Sequence, residues 1–248
     1  MLELEVRDGC AWLRIDRPER RNALPAGFWP RLREVTAAIE ADREVGAVVL
    51  HGAGNCFSVG ADIDDFAGAD DLGARRRFLR EATGALRGLA ELPVPCVAAV
   101  HGHCIGGGLE LTLACDIVVC DETARFSTPE ARVGLVPGVL LAWGPERIAG
   151  HWLRYLALSG EPLDAETARL AGLVNFVTPA GEHLERAAAL AERLVAGAPL
   201  AQGVVKAALG RGRLDEAVES GAMLQASDDF AEGGTAFRER RPPRFSGR

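Results

Sequence analysis

Lysine is all but missing from this chain, for among its 28 basic residues only Lys206 is not an arginine. That bias fits a base-composition effect better than selection on the protein. Long apolar runs are missing too: none approaches the ~18 residues needed to cross a bilayer. The N-terminus, Met1 to Asp8, carries charge from Glu3 onward and lacks a signal-peptide core. Among the six cysteines (Cys10, Cys56, Cys96, Cys104, Cys115, Cys120) there is no C-x-x-C pair. They read as small reduced core residues rather than a disulfide frame or zinc site. Nor is there an excess of positive charge: the net charge of −7 offers no global attraction to nucleic acid or anionic membranes. An anionic ligand would need local clusters, and two exist, Arg17/Arg20/Arg21 and Arg238/Arg240/Arg241/Arg244. The expectation is a cytoplasmic protein with no nucleic-acid or membrane partner.

What is present suits a globular fold. At 248 residues, 48% hydrophobic and 25% charged, the chain can bury a substantial core. Apolar alternation about Asp8-Gly9 predicts a β-hairpin over 2–15. Helical spacing follows through Phe28, Leu32, Val35 and Ile39, then a short buried strand over 45–50. A turn-rich loop at 52–60 precedes a second helix through Leu72, Leu79, Leu86 and Leu89, stopped by Pro93 and Pro95. A strand over 94–100, a short helix over about 107–114 and a strand over 117–120 complete an alternating pattern. It implies an α/β core with substantial parallel pairing. From about Gly181 onward only helical stretches remain, at 184–195, 200–209 and 214–230, before an Arg- and Pro-rich tail. They read as packing against the core or another subunit. The chain divides into a core over 1–180 and a helical section over 181–248.

Two glutamates, Glu110 in G106-G-G-L-E110 and Glu130 in F126-S-T-P-E130, sit among apolar or tightly turned residues. Burial without a partner raises a carboxyl pKa by disfavouring the charged form, and two such groups together can divide into an acid and a base. The glycines preceding Glu110 do not match a dinucleotide-binding loop. They run G102-x-x-x-G106-G107-G108 instead of G-x-G-x-x-G, and the helix is about two turns long. Such a loop instead bares backbone N–H groups at a helix N-terminus, where negative charge is favoured. Three successive glycines predict close backbone approach to a ligand.

Seven ordered blocks covering nearly the whole chain resemble the crotonase superfamily, the enoyl-CoA hydratases and isomerases. They are R17-P-E-R-R-N-A-L24, F57-S-V-G-A-D-I63, A99-V-H-G-H-C-I-G-G-G-L-E110 with A114-C-D-I-V-V-C120, F126-S-T-P-E130, L135-V-P-G138, A168-R-L-A-G-L-V174 and A236-F-R-E-R-R-P-P-R-F245. The resemblance implies a crotonase-like spiral of ββα repeats, with C-terminal helices that build a homotrimer or homohexamer. It implies an acyl-CoA thioester substrate, no metal and no cofactor beyond the coenzyme A of the substrate. By similarity the N–H groups of Ala61 and Gly107 form an oxyanion hole, and Arg21, Ala23, Gly60, Asp62 and Ile63 bind substrate. Glutamates at both Glu110 and Glu130 favour hydration of a 2-enoyl-CoA, with Glu110 activating water and Glu130 delivering a proton.

Two departures stand out. Asp64 occupies a position where the family often has a phosphate-binding Lys, leaving Arg20 or Arg21 to compensate. Val139-Leu-Leu-Ala-Trp-Gly144 replaces a small, polar G-G-T-Q type stretch, and Trp143 is expected to point into the acyl pocket. An isomerase, decarboxylase or thioester hydrolase on the same fold, or a catalytically silent acyl-CoA-binding subunit, are the alternatives. His51, His101 and His103 are read as structural, Cys104 as packing and Arg75, Arg76 and Arg77 as a solvated face. Asp62 stays open between capping a helix and touching substrate.

Overall fold

A computed structural model of the chain describes residues 1–62, 72–209 and 227–248. Strands β1 (Leu2–Arg7) and β2 (Cys10–Ile15) pair antiparallel about Asp8 and Gly9, whose φ values of 51° and 72° are those of a tight hairpin turn. Beyond the hairpin every pairing in this sheet is parallel. Strands β3 (Ala47–Gly52), β4 (Cys96–Val100), β6 (Ile117–Asp121) and β9 (Phe176–Thr178) extend it in the order β1-β2-β3-β4-β6-β9. The predicted α/β core with parallel pairing is thus the observed one.

A second sheet, β5-β7-β8, is built from very short strands: β5 (His103–Ile105), β7 (Arg125–Ser127) and β8 (Leu163–Asp164). Isolated parallel bridges, Ser58 to Cys104 and Leu24 to Ala61, continue it. Strands β2, β3, β4 and β6 of the large sheet are thus each followed by a shorter piece at the small one: Leu24, residues 58–61, β5 and β7. These short pieces escaped the sequence reading because two or three residues carry no detectable alternation.

Helices α1 (Phe28–Ala41), α2 (Leu72–Ala90) and α3 (Gly107–Ala114) pack over one face of the large sheet, their apolar stripe supplied by Phe28, Leu32, Ile39, Leu86, Leu89, Leu109 and Leu113. Val48, Leu50, Ala98 and Val100 point to that face, while their neighbours Ala47, Val49, Val97 and Ala99 point to the other. There Ala187 and Ala191 of α7 (His183–Val195) meet them, small residues that let the helix lie close. All six cysteines are free and buried, as the core reading expected.

Among the described residues the other α-helices are α4 (Gly138–Arg147), α5 (Gly150–Ser159), α6 (Ala165–Leu170), α8 (Pro199–Leu209) and α9 (Asp228–Glu239). The helix expected over 214–230 falls largely outside the described residues, and α9 runs to Glu239, into the segment read as tail. Lys206 of α8 donates to Val94 O at 3.0 Å and pairs with Asp116 Oδ2 at 2.7 Å, anchoring α8 beside β4. Among the described residues no helix is long and apolar enough to cross a membrane.

Candidate active site

The site is assembled where the small sheet meets the N-terminus of α3. Ser58 N–H donates to His103 O at 3.0 Å and Ile105 N–H to Ser58 O at 2.9 Å. Two residues later the chain changes partner: Leu24 N–H donates to Gly60 O at 2.8 Å and Asp62 N–H to Leu24 O at 2.9 Å. Gly60 makes the switch at φ 87°, and a Cβ there would lie 2.7 Å from Ile105 O and 3.1 Å from Gly107 N. Ala61 and Gly107 are thereby brought together: a Cβ on Gly107 would stand 3.5 Å from Ala61 N. Among the described residues neither N–H has a protein acceptor.

The three glycines expected to admit a ligand have distinct uses. Gly106, the residue before α3, has φ 52°, and a Cβ there would lie 2.8 Å from Glu130 Oε1, so its bare backbone makes room for that carboxylate. Gly107 carries the amide facing Ala61. Gly108 instead lets α3 touch the neighbouring loop, since a Cβ would fall 2.7 Å from Ser58 O.

Both glutamates flank this point. Glu110 lies in the first turn of α3, and its N–H donates to Gly106 O at 2.9 Å. Its Oε1 accepts the Val139 N–H at 3.0 Å, from the first turn of α4. Burial pushes the Glu110 carboxyl up to about 7, against the Val139 bond, and the charge of Glu130 pushes the same way as burial. Glu130 sits in a short 3₁₀ helix (Pro129–Val133), where burial also raises its pKa. Its Oε2 is buried without a hydrogen-bond partner among the described residues. Two carboxyls whose pKa values are both raised by burial, beside a pair of amides without a protein acceptor among the described residues, can exchange protons with a ligand whose oxygen lies on those amides.

The other candidate residues are distributed around this centre. Asp62 is buried and pairs with Arg17 Nη1 at 2.6 Å and Arg20 Nη2 at 3.5 Å. Arg20 is therefore turned toward Asp62, while the Arg21 side chain is exposed. Ala23 is buried, its carbonyl accepting from Arg17 Nη1 at 3.4 Å. Ile63 and Asp64 lie outside the described residues. Trp143, expected in the acyl pocket, is half-buried and packed against the main core with Arg147 over its ring, because α4 turns Val139 and Leu140 inward and Trp143 follows one turn later.

The bland readings have counterparts in the fold. His101 Nε2 lies 3.0 Å from Gly54 O, and its ring stacks on His183 at 4.6 Å. Burial pushes the Cys104 thiol well above the usual range, as befits a packing residue. Arg76 and Arg77 are exposed. Sequence reasoning missed two features: the Arg17–Asp62 pair and Asn22, fully buried in the R-N-A-L run. A lone Asn between an arginine and an apolar pair was the available signal.

A family model described as enoyl-CoA hydratase/isomerase matches residues 5–248. The 2,3-dehydroadipyl-CoA hydratase of Escherichia coli (strain K12) is 36% identical over 248 residues, covering 95% of this chain and 94% of the relative. The short-chain-enoyl-CoA hydratase of Clostridium acetobutylicum is 34% identical over 247 residues, covering 96% and 94%. A crystal structure of an enoyl-CoA hydratase/carnithine racemase from Magnetospirillum magneticum superimposes with a TM-score of 0.94 at 32% identity, covering 100% of this chain and 96% of that one. The fold is the crotonase fold. The chain belongs to the enoyl-CoA hydratase/isomerase family, enzymes that act on coenzyme A thioesters.

Proposed function

We propose that the protein hydrates a 2-enoyl-CoA. The observation that supports the reading is two half-buried carboxyls, both with raised pKa, around the N-terminus of α3, where Gly107 lies against the Ala61 nitrogen. The thioester oxygen would accept from those two N–H groups, each worth ~3 kcal/mol as negative charge develops on it. Ionised Glu110, its charge eased by the Val139 N–H, takes a proton from water as the oxygen adds to Cβ. Protonated Glu130 then delivers a proton to Cα. No step calls for a metal or a redox cofactor.

Arg21, whose side chain is exposed, would pair with the phosphates of coenzyme A. The helical section over 181–248 would complete a homotrimer or homohexamer. Relatives named as hydratases at 34–36% identity support the reaction type. The test is to follow the loss of enoyl-thioester ultraviolet absorbance with a panel of 2-enoyl-CoAs. Turnover at hydratase rates supports the reading, and isomerisation of a 3-enoyl-CoA without hydration would replace it.

A further inference from the structure

We infer that Asn22 and Ser58 are positioning residues that set the direction of the Ala61 N–H, acting on the thioester through a backbone amide. The inference rests on the reading of that amide as an oxyanion donor. Arg21 and Asn22 are consecutive left-handed residues, with φ 52° and 56°. This rare conformation turns the Asn22 side chain inward, where it is 0% exposed. Its Nδ2 donates to Ala53 O and to Cys56 O, each at 2.8 Å, and its Oδ1 accepts the Arg17 N–H at 2.9 Å. Both ends of the amide are engaged, and two carbonyl acceptors fix which end is nitrogen.

From Asn22 the bonds lead to the site. Ser58 Oγ donates its only proton to Asn22 O at 2.7 Å, which leaves a lone pair to accept the Gly60 N–H at 3.1 Å. That bond holds the peptide on one side of Gly60, and the bond from Leu24 N–H holds its carbonyl on the other. The Gly60 carbonyl and the Ala61 N–H share one planar trans peptide and point in opposite directions. Fixing the carbonyl on Leu24 therefore aims the Ala61 N–H away from the Leu24 backbone, and Gly107 lies against that nitrogen, where a Cβ would stand 3.5 Å from it. Asp62, the next residue, would oppose a developing oxyanion, and Arg17 offsets its charge at 2.6 Å while its own N–H is held by Asn22. Segment 17–24 thus acts as a frame for 58–62.

The test uses the full chain and the Ser58→Ala variant, with three readouts: melting temperature, kcat and KM for crotonyl-CoA hydration, and the absorption of bound dimethylaminocinnamoyl-CoA, which moves to the red as its carbonyl is polarised. The expected result is a folded variant with KM within about twofold, kcat down roughly tenfold, and a red shift cut to half or less. A folded variant with the wild-type red shift and kcat overturns the inference. If Ser58→Ala does not fold, Ser58→Cys, which keeps the volume but bonds weakly, carries the same comparison. Wild-type protein that red-shifts the probe yet hydrates no enoyl-CoA sinks the proposed reaction while leaving this inference to the variant's spectrum. Wild-type protein that binds the probe without a red shift sinks the amide reading and this inference with it.

Discussion

The Val139 N–H donates to Glu110 Oε1 at 3.0 Å. It ties the 139–144 segment, one of the two departures from the family pattern read in the sequence, directly to the Glu110 carboxylate. The first N–H groups of a helix have no partner within the helix, so α4 can give this one away without loss. The bond favours the charged form of Glu110, against the burial that raises its pKa to about 7. Val139→Pro removes the donor at a position where a helix tolerates proline. The rise of kcat/KM with pH, expected near Glu110's value as the base ionises, should move upward by about one pH unit. A pH profile of hydration checks it, and an unmoved acid limb counts against Glu110 as the base.

Glu110→Gln and Glu130→Gln should each lower hydration by ~10²-fold or more, since an amide cannot exchange the proton. The double variant should lose little beyond the worse single one, because groups acting as a unit are not additive. Full activity in Glu130→Gln would remove the mechanism.

Glu110→Gln should also stabilise the fold at alkaline pH. A carboxyl whose folded pKa lies above its unfolded value holds its proton more tightly when folded, so its contribution is fully present below about 4.5 and lost as pH rises through about 7. At pH near 8 the half-buried charge of Glu110 is a cost with an upper bound of ~3 kcal/mol. Glu110→Gln should accordingly raise the melting temperature at pH near 8 and change it little near pH 5. Equal shifts at both would place the effect in packing instead.

Trp143 is half-buried against the core. Trp143→Ala should cost about 2 kcal/mol, less than the ~3 to 5 of a fully buried tryptophan, and leave relative kcat/KM across acyl chain lengths unchanged. A shift toward longer chains without lost stability would restore the pocket reading.

Among the described residues, Lys206→Met leaves the Asp116 carboxylate with the Cys96 N–H as its remaining partner, at 2.7 Å. Asp116 is partly exposed, which softens the loss to ~1 to 2 kcal/mol. Hydrogen exchange over 199–209 should quicken more than over α7, and uniform exchange would show that Lys206 does not anchor α8.

How much of this was legible in the chain depends on the range of the forces involved. Local pattern determined the hairpin over 2–15, the short helix over 107–114 and the cysteines as buried core, because turn chemistry, helix start and apolar neighbours all lie within a few residues. Glu110 and Glu130 were legible for a similar reason: each announces itself by its own apolar surroundings. What only the tertiary structure decided are the relations between distant segments. Asn22 reaches across more than thirty residues to Ala53 and Cys56, Arg17 meets Asp62, and Val139 meets Glu110. Such bonds depend on which strands become neighbours in the sheets, and a pairing of that kind leaves no periodicity in either segment. Trp143 shows the same divide. Its bulk is written in the sequence, but the face on which it lies was set by the rotation of α4, fixed when Val139 and Leu140 were turned inward.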